Sequence, residues 1–377
     1  MTGMLAFRVD PNGMNLQALA HTDGTVRIRT IARVLAGMQK EAIIQYGPTG
    51  TVWRVVCDEG PWLNGTDLAP FPLAFFAAGV AASMMSEILG EARDRNVRVD
   101  SLSLVQDNFF TMEGSALKGT MAAGVQPMQV EISASGDGSA ADFENIAETA
   151  VRSRSPAECC LREVLTSGFA VRANNEELAW PGRPAGAVAA LSDPADLFGN
   201  VHPLSNGGTT LIRKSAGNAG SQGHAVGLRA EQKRVVHVRT EGSIRKDGLK
   251  SLHVRCIQPQ GSRFRMLSDD SGLTGGQERA PSGLAYLSAG VAFCFMTQIG
   301  RYAQITKQQL NGYRIIQDTA FRLARDHDPD AFAVGTLVCL DTDEPRENSI
   351  QLVRMAEQTC YIHAAFRTPA ATTVNIL

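Results

Sequence analysis

The chain contains no Cys-x-x-Cys pair. Its seven cysteines, Cys57, Cys159, Cys160, Cys256, Cys294, Cys339 and Cys360, are scattered and odd in number. That pattern argues against a disulfide-stapled secreted scaffold and against a zinc knuckle. Charge of one sign is also missing: the net formal charge is −2 with the signs interspersed, so neither nucleic acid nor an anionic membrane is an expected partner. No basic stretch followed by a long apolar run opens the sequence, so no secretory leader is expected and a reducing cytoplasm is the default. The Gly-rich stretch "GLTGG" at 272–276 lacks a phosphate-binding lysine, and no strand–GxGxxG–helix context occurs. No nucleotide or other cofactor is therefore expected. In "RDHDPDAF", 325–332, Asp326, His327, Asp328 and Asp330 cluster, but His-Asp-Pro-Asp is ordinary turn chemistry and no metal is expected there.

What the sequence does have is a repeat. Shifted by 211 positions, residues 42–107 align without a gap on 253–318, with 18 identities in 66 positions. Pro48 meets Pro259, Arg54 meets Arg265, Asp58 meets Asp269, and "AGVA" at 78–81 recurs at 289–292. So long a period predicts a duplicated domain rather than a solenoid. Each copy reads as β-like segments, a turn-rich stretch, an apolar helix, alternating strands and a short amphipathic helix, an order that predicts an α+β fold. The expected organisation is a first domain over 1–200, a linker rich in Gly, Ser and Asn over 201–230, and a second domain over 231–377.

The apolar runs "PFPLAFFAAGVAASMMSEIL", 70–89, and "PSGLAYLSAGVAFCFMTQIG", 281–300, occupy equivalent places. They read as helices buried in protein, too short and too interrupted by Gly and Ser to span a bilayer comfortably. In the second, Leu284, Leu287, Val291 and Cys294 share one helix face. The first has Ser83 where Cys294 falls. Near the end, "MAEQTCYIHAAF" puts Thr359 or Cys360 at the cap of a short helix, where the exposed N–H groups favour thiolate. His363, about one turn on, is placed to support it.

The stretches "LSAGVAFC", 287–294, and "MAEQTC", 355–360, in this order resemble the OsmC/Ohr family, the osmotically inducible and organic-hydroperoxide-resistance proteins. The resemblance covers most of each copy in outline. It implies antiparallel sheets wrapped around two central buried helices, with this chain an intramolecular dimer about a pseudo-two-fold axis. It also implies Cys294 as nucleophile toward a small-molecule hydroperoxide, Cys360 as resolving thiol, and a dithiol reductant that restores them. Arg245 is a counterpart of the family's arginine in the second copy and Arg33 in the first. The family's glutamate has no aligned match: the region before Cys294 reads "PSGLAYL", and Glu278 lies further up. In the first copy, either Ser155, followed by Pro156, or Cys159 corresponds to Cys360. The first copy thus reads as the degenerate site and the second as the one that keeps its thiols. Three functions stay open: thiol-dependent hydroperoxide reduction; hydrolysis or thiol transfer with a cysteine nucleophile and His363 as base; and a small-molecule binding module whose cysteines only pack. The sequence does not fix whether two such chains pair again.

Overall fold

The computed structural model describes residues 3–19, 24–204, 209–216, 226–271, 275–323 and 329–377. It is an α+β body of two sheets and two long central helices. The chain opens with β1 (Ala6–Arg8), β2 (Thr25–Val34), β3 (Lys40–Tyr46) and β4 (Val52–Cys57), followed by α1 (Pro72–Asp94). Next come β5 (Val99–Ser115), β6 (Ala122–Gly136), α2 (Ala140–Thr149), α3 (Pro156–Arg162), β7 (Ser167–Ala173) and β8 (Glu176–Leu178). After β9 (Ile212–Ala216) the pattern of strands returns as β10 (Glu231–Ile244), β11 (Lys250–Gln258) and β12 (Arg263–Ser268), then α4 (Gly283–Thr306). The chain closes with β13 (Leu310–Arg322), β14 (Asp330–Ala331), β15 (Val334–Thr342), α5 (Arg346–Thr359), α6 (Tyr361–Arg367) and β16 (Thr372–Ile376).

Neither sheet belongs to one half of the chain. The first runs β1-β4-β3-β2-β13-β15-β7-β8, with β14 on β13; the second runs β16-β6-β5-β10-β11-β12-β9. The joins are antiparallel: β2 against β13, with Thr30 opposite Gln317, and β10 against β5, with Thr240 opposite Gln106. Strands from either half thus complete the other's sheet. Within the segment expected as a linker, β9 pairs β12 at the edge of the second sheet.

The two helices form the core. α1 begins with Pro72 in its first turn, where a missing N–H costs nothing, and α4 with Ser282, whose hydroxyl accepts from the Ala285 N–H at 3.3 Å. Small residues set how closely they cross. A Cβ on Gly79 would lie 2.4 Å from the Leu287 nitrogen, and one on Gly290 2.5 Å from the Phe76 nitrogen. Only glycine allows backbones to approach so closely. At 23 and 24 residues, both helices are in fact long and apolar enough to cross a membrane by length and composition. Their apolar windows are, however, 78% and 100% buried inside the protein. Sheet residues supply that cover, which the sequence periodicity of a single helix does not reveal.

The outer faces of the sheets differ. The strap over 185–201 lays Ala185, Val188 and Phe198 onto Ile31, Ile43, Ile316 and Leu337 of the first sheet. Every residue of β3 is therefore buried. On the second sheet β11 keeps the alternation of a half-covered strand, with Leu252, Val254 and Cys256 inward.

Candidate functional site

The site grows from one face of α4. Cys294, Thr297, Gln298 and Arg301 follow one another at helical spacing, and all four are buried. α5 ends and α6 begins at Cys360, a residue in extended conformation at the junction. This break turns the Cys360 sulfur toward Cys294. The Cys294 thiol donates to the Cys360 sulfur, and the Ile362 and His363 backbone N–H groups point at the two sulfurs. Both residues carry free thiols and are buried. The pair shares its protons unequally. Burial and the neighbouring thiol push Cys294 well up, with Glu59 adding to the shift. Cys360 is also penalised by burial, but the Cys294 hydrogen bond and His363 outweigh that and hold it well below the usual thiol range. The first negative charge therefore rests on Cys360.

His363 is 1% exposed, between the rings of Phe169 and Phe295, with centroids 5.8 and 5.3 Å away. Neither ring nitrogen forms a hydrogen bond of good geometry, and the Cys360 sulfur is the charged group beside it.

A carboxyl contributed by the first half of the chain lies within electrostatic reach of Cys294. Glu59, just after β4, is 3% exposed and accepts from Thr297 Oγ1 at 2.8 Å. Burial pushes its pKa up to about 7; Lys40 and the Thr297 hydrogen bond pull the other way without cancelling that cost. Lys40 is fully buried, and its ammonium donates to the Met38 carbonyl at 2.7 Å. Glu59 is thus a carboxyl that exchanges its proton near neutral pH. The second half's own sequence does not supply this carboxyl, because it follows β4 of the first half. The signal was present: at an offset of 211, Asp58-Glu59 meets Asp269-Asp270.

Further along α4, Arg301 is 1% exposed. Its Nε donates to the Gly227 carbonyl at 2.6 Å, Nη1 to Gln298 at 2.9 Å and Nη2 to the Met121 sulfur at 3.4 Å. Arg234, on β10, donates to the Tyr361 hydroxyl at 3.0 and 2.8 Å and lies 5.0 Å from the Trp62 ring centroid. Trp62 thus borders the site.

Cys294, Cys360 and His363 are brought together. Arg245 is not with them: it sits after β10 in an exposed turn and pairs with Asp247 at 2.9 Å. A local Asp two residues away satisfies the guanidinium there. Arg33 pairs with Glu41 at 2.7 Å on the first sheet. Glu278 accepts from Thr51 at 2.5 Å, away from the thiols. Ser155 caps α3, accepting from the Glu158 N–H at 3.2 Å, in the same position that Cys360 holds before α6. Cys159 lies inside α3, where burial pushes its thiol up to about 11. With Glu163 and Asp330 it forms a cluster within 4.8 Å, but a neutral thiol beside two carboxylates is a poor metal donor set near pH 7. Residues 326–328 of "RDHDPDAF" and 272–274 of "GLTGG" lie outside the described residues.

No protein-family model matches the chain, and no curated protein matches it. Among solved structures it is similar to an OsmC-like hydroperoxide resistance protein from Jannaschia sp. CCS1, at 21% identity. The match covers 34% of this chain and 83% of that one, with a TM-score of 0.21. A likeness that low carries no argument about chemistry, and the site must be read from its own residues.

Proposed function

We propose that the chain is a dithiol reductase of organic hydroperoxides, in which two fused OsmC-like domains, over 1–200 and 231–377 and joined by 201–230, make one asymmetric pseudo-dimer. The observation that carries this is that two buried free thiols, Cys294 and Cys360, interact with each other, with His363 beside Cys360 and Glu59 acting on Cys294. Two coupled thiols with a proton donor alongside are what the reaction needs. As one proton passes across the shared hydrogen bond to Cys360, Cys294 becomes the thiolate. It attacks the terminal oxygen of the hydroperoxide and breaks the O–O bond. Protonated Glu59 gives its proton to the departing alkoxide, leaving an alcohol and a Cys294 sulfenic acid. The Cys360 thiol then attacks the Cys294 sulfur. A disulfide forms, and the hydroxide released takes up the Cys360 proton as water. Two thiols lose two electrons, and the hydroperoxide gains them. A dithiol reductant returns the pair to the thiol state.

Cys294 rather than Cys360 is assigned as the attacking atom because Glu59 acts on it electrostatically and Thr297, one turn further along α4, holds that carboxyl. Cys360 is backed by His363 and aromatic rings. The test is to treat the reduced protein with an alkyl hydroperoxide and map its disulfides by mass spectrometry, with Cys294→Ser and Cys360→Ser alongside. The reading expects a Cys294–Cys360 bridge in the wild type and a sulfenic acid trapped on Cys294 in Cys360→Ser. Both thiols remaining reduced and slow to alkylate would sink it. A sulfenic acid on Cys360 in Cys294→Ser, with none on Cys294, would reverse the two roles.

A further inference from the structure

We propose that Arg301 and Arg234 form an anion-binding subsite beside the thiols, one that takes the carboxylate of an amphiphilic ligand. The inference rests on the proposed function only for where the ligand's reacting end would go. A buried guanidinium is normally matched by a carboxylate, since burial of an unpaired charge is costly. Among the described residues Arg301 has no such partner: its three hydrogen bonds go to a carbonyl, an amide and a thioether. Thioether sulfur is a weak acceptor. Arg234 is held by a neutral phenol and an indole face. The nearest acid, Glu59, is protonated about half the time near neutrality and is engaged by Thr297.

The equivalent place on α1 shows what compensation looks like. Arg301 aligns with Gly90 at the 211-residue offset, and the space there is taken by Arg154, whose guanidinium comes within 3.5 Å of where a Gly90 Cβ would stand. Arg154 pairs with Glu87, Glu91 and Asp94. One cation is ion-paired with three carboxylates, and the other, among the described residues, is ion-paired with none.

At Arg301, the Gly227 carbonyl occupies the acceptor position at 2.6 Å. It is a stand-in that a carboxylate oxygen would replace, gaining charge on both partners. A monoanion suits two guanidiniums beside a partly ionised Glu59 better than a phosphate dianion. Trp62, Leu63 and Met121 give the surroundings an apolar wall. Cys294 and Arg301 are seven residues apart on α4, about 10 Å along the axis, so the ligand carries its acid a medium-length chain away from its reacting end.

The test is isothermal titration calorimetry of the full reduced chain with octanoate and with methyl octanoate. Octanoate is expected to bind at least about tenfold more tightly than the ester. Arg301→Met should erase that preference, and Cys294→Ser should keep it. Because the assay involves no turnover, a protein that binds octanoate but reduces no hydroperoxide would count against the proposed reaction, not against the subsite. Should Arg301→Met fail to fold, Arg234→Gln, at a half-buried position, is expected to weaken the preference several-fold. Equal affinities, no octanoate binding, or a preference that survives the arginine substitutions would overturn the subsite.

Discussion

Two buried clusters occupy equivalent places in the molecule, and they are built to opposite ends. One joins Lys250, Asp270 and Ser86; the other joins Lys40, Glu59 and Thr297. In the first, the Lys250 ammonium reaches Asp270 at 2.7 Å, and Ser86 donates to the same carboxylate at 2.5 Å. In the second, Lys40 spends its short hydrogen bond on the Met38 carbonyl, and Glu59 is left with Thr297. The first has Ser83 where the second has Cys294. A closed ion pair holds structure and leaves no proton to move. An open one keeps a carboxyl that ionises near pH 7 beside a thiol pair. On the proposed reading, the difference teaches that the reactive cluster is the one where charge has been left unmatched.

The largest effect expected is the loss of the thiol. Cys294→Ser makes the Cys294 cluster resemble its counterpart, and hydroperoxide-driven disulfide formation should fall to background, read by mass spectrometry. Next is Asp270→Asn. Breaking the closed pair strands a fully buried lysine and should cost about 3 kcal/mol of stability in urea unfolding. The rate of thiol oxidation should scarcely change. If the rate collapsed as well, the two clusters would not be independent, and the contrast between a structural and a reactive pair would fail.

Glu59→Gln acts in the opposite direction on stability. The folded pKa is raised from 4.5 to about 7, so the folded state holds a proton that the unfolded state has released. Stability from this group is intact below pH 4.5, declines as pH rises toward 7, and levels off above it. The full swing is on the order of 3 kcal/mol. Glutamine cannot ionise, so the variant should lose this decline and be more stable than wild type at pH 8. Its oxidation rate should drop about a hundredfold at pH 6, because the general acid is gone. A wild-type stability curve that is flat between pH 5 and 8 would contradict the raised pKa.

How much of this the sequence discloses follows from how far each interaction reaches along the chain. The central helices are legible because their apolar runs and their match at 211 residues are local patterns. Cys360 and His363 are legible because a helix break and a one-turn spacing are local too. Glu59 is not, because it meets Cys294 only after β2 has paired with β13 across nearly 290 residues of chain. The choice of Arg245 fails for a related reason: strand position alone does not reveal that Asp247 already holds it. Arg301 reads in the sequence as an ordinary polar residue near the end of a helix. Only burial without a counter-charge makes it informative, and that requires Gly227, Met121 and α4 to be seen together. The strap over the first sheet is hidden in the same way, since nothing in "GAVAALSDPADLFGN" states which surface it covers.

The smallest effect sharpens the comparison most. Thr297 and Ser86 are equivalent hydroxyls, each donating to its cluster's acid. Ser86→Ala removes one of two donors from a carboxylate that still has Lys250, and should cost about 1 kcal/mol with no change in pH dependence. Thr297→Val removes the hydroxyl bond that favours the ionised form of Glu59. The carboxyl should then hold its proton to higher pH, and the end of the stability decline should move above 7. Urea melts from pH 5 to 9 on both variants separate the two outcomes. If Thr297→Val left the pH at which stability levels off unchanged, Glu59 would be anchored by something other than that bond. The open cluster would then be no more open than its counterpart.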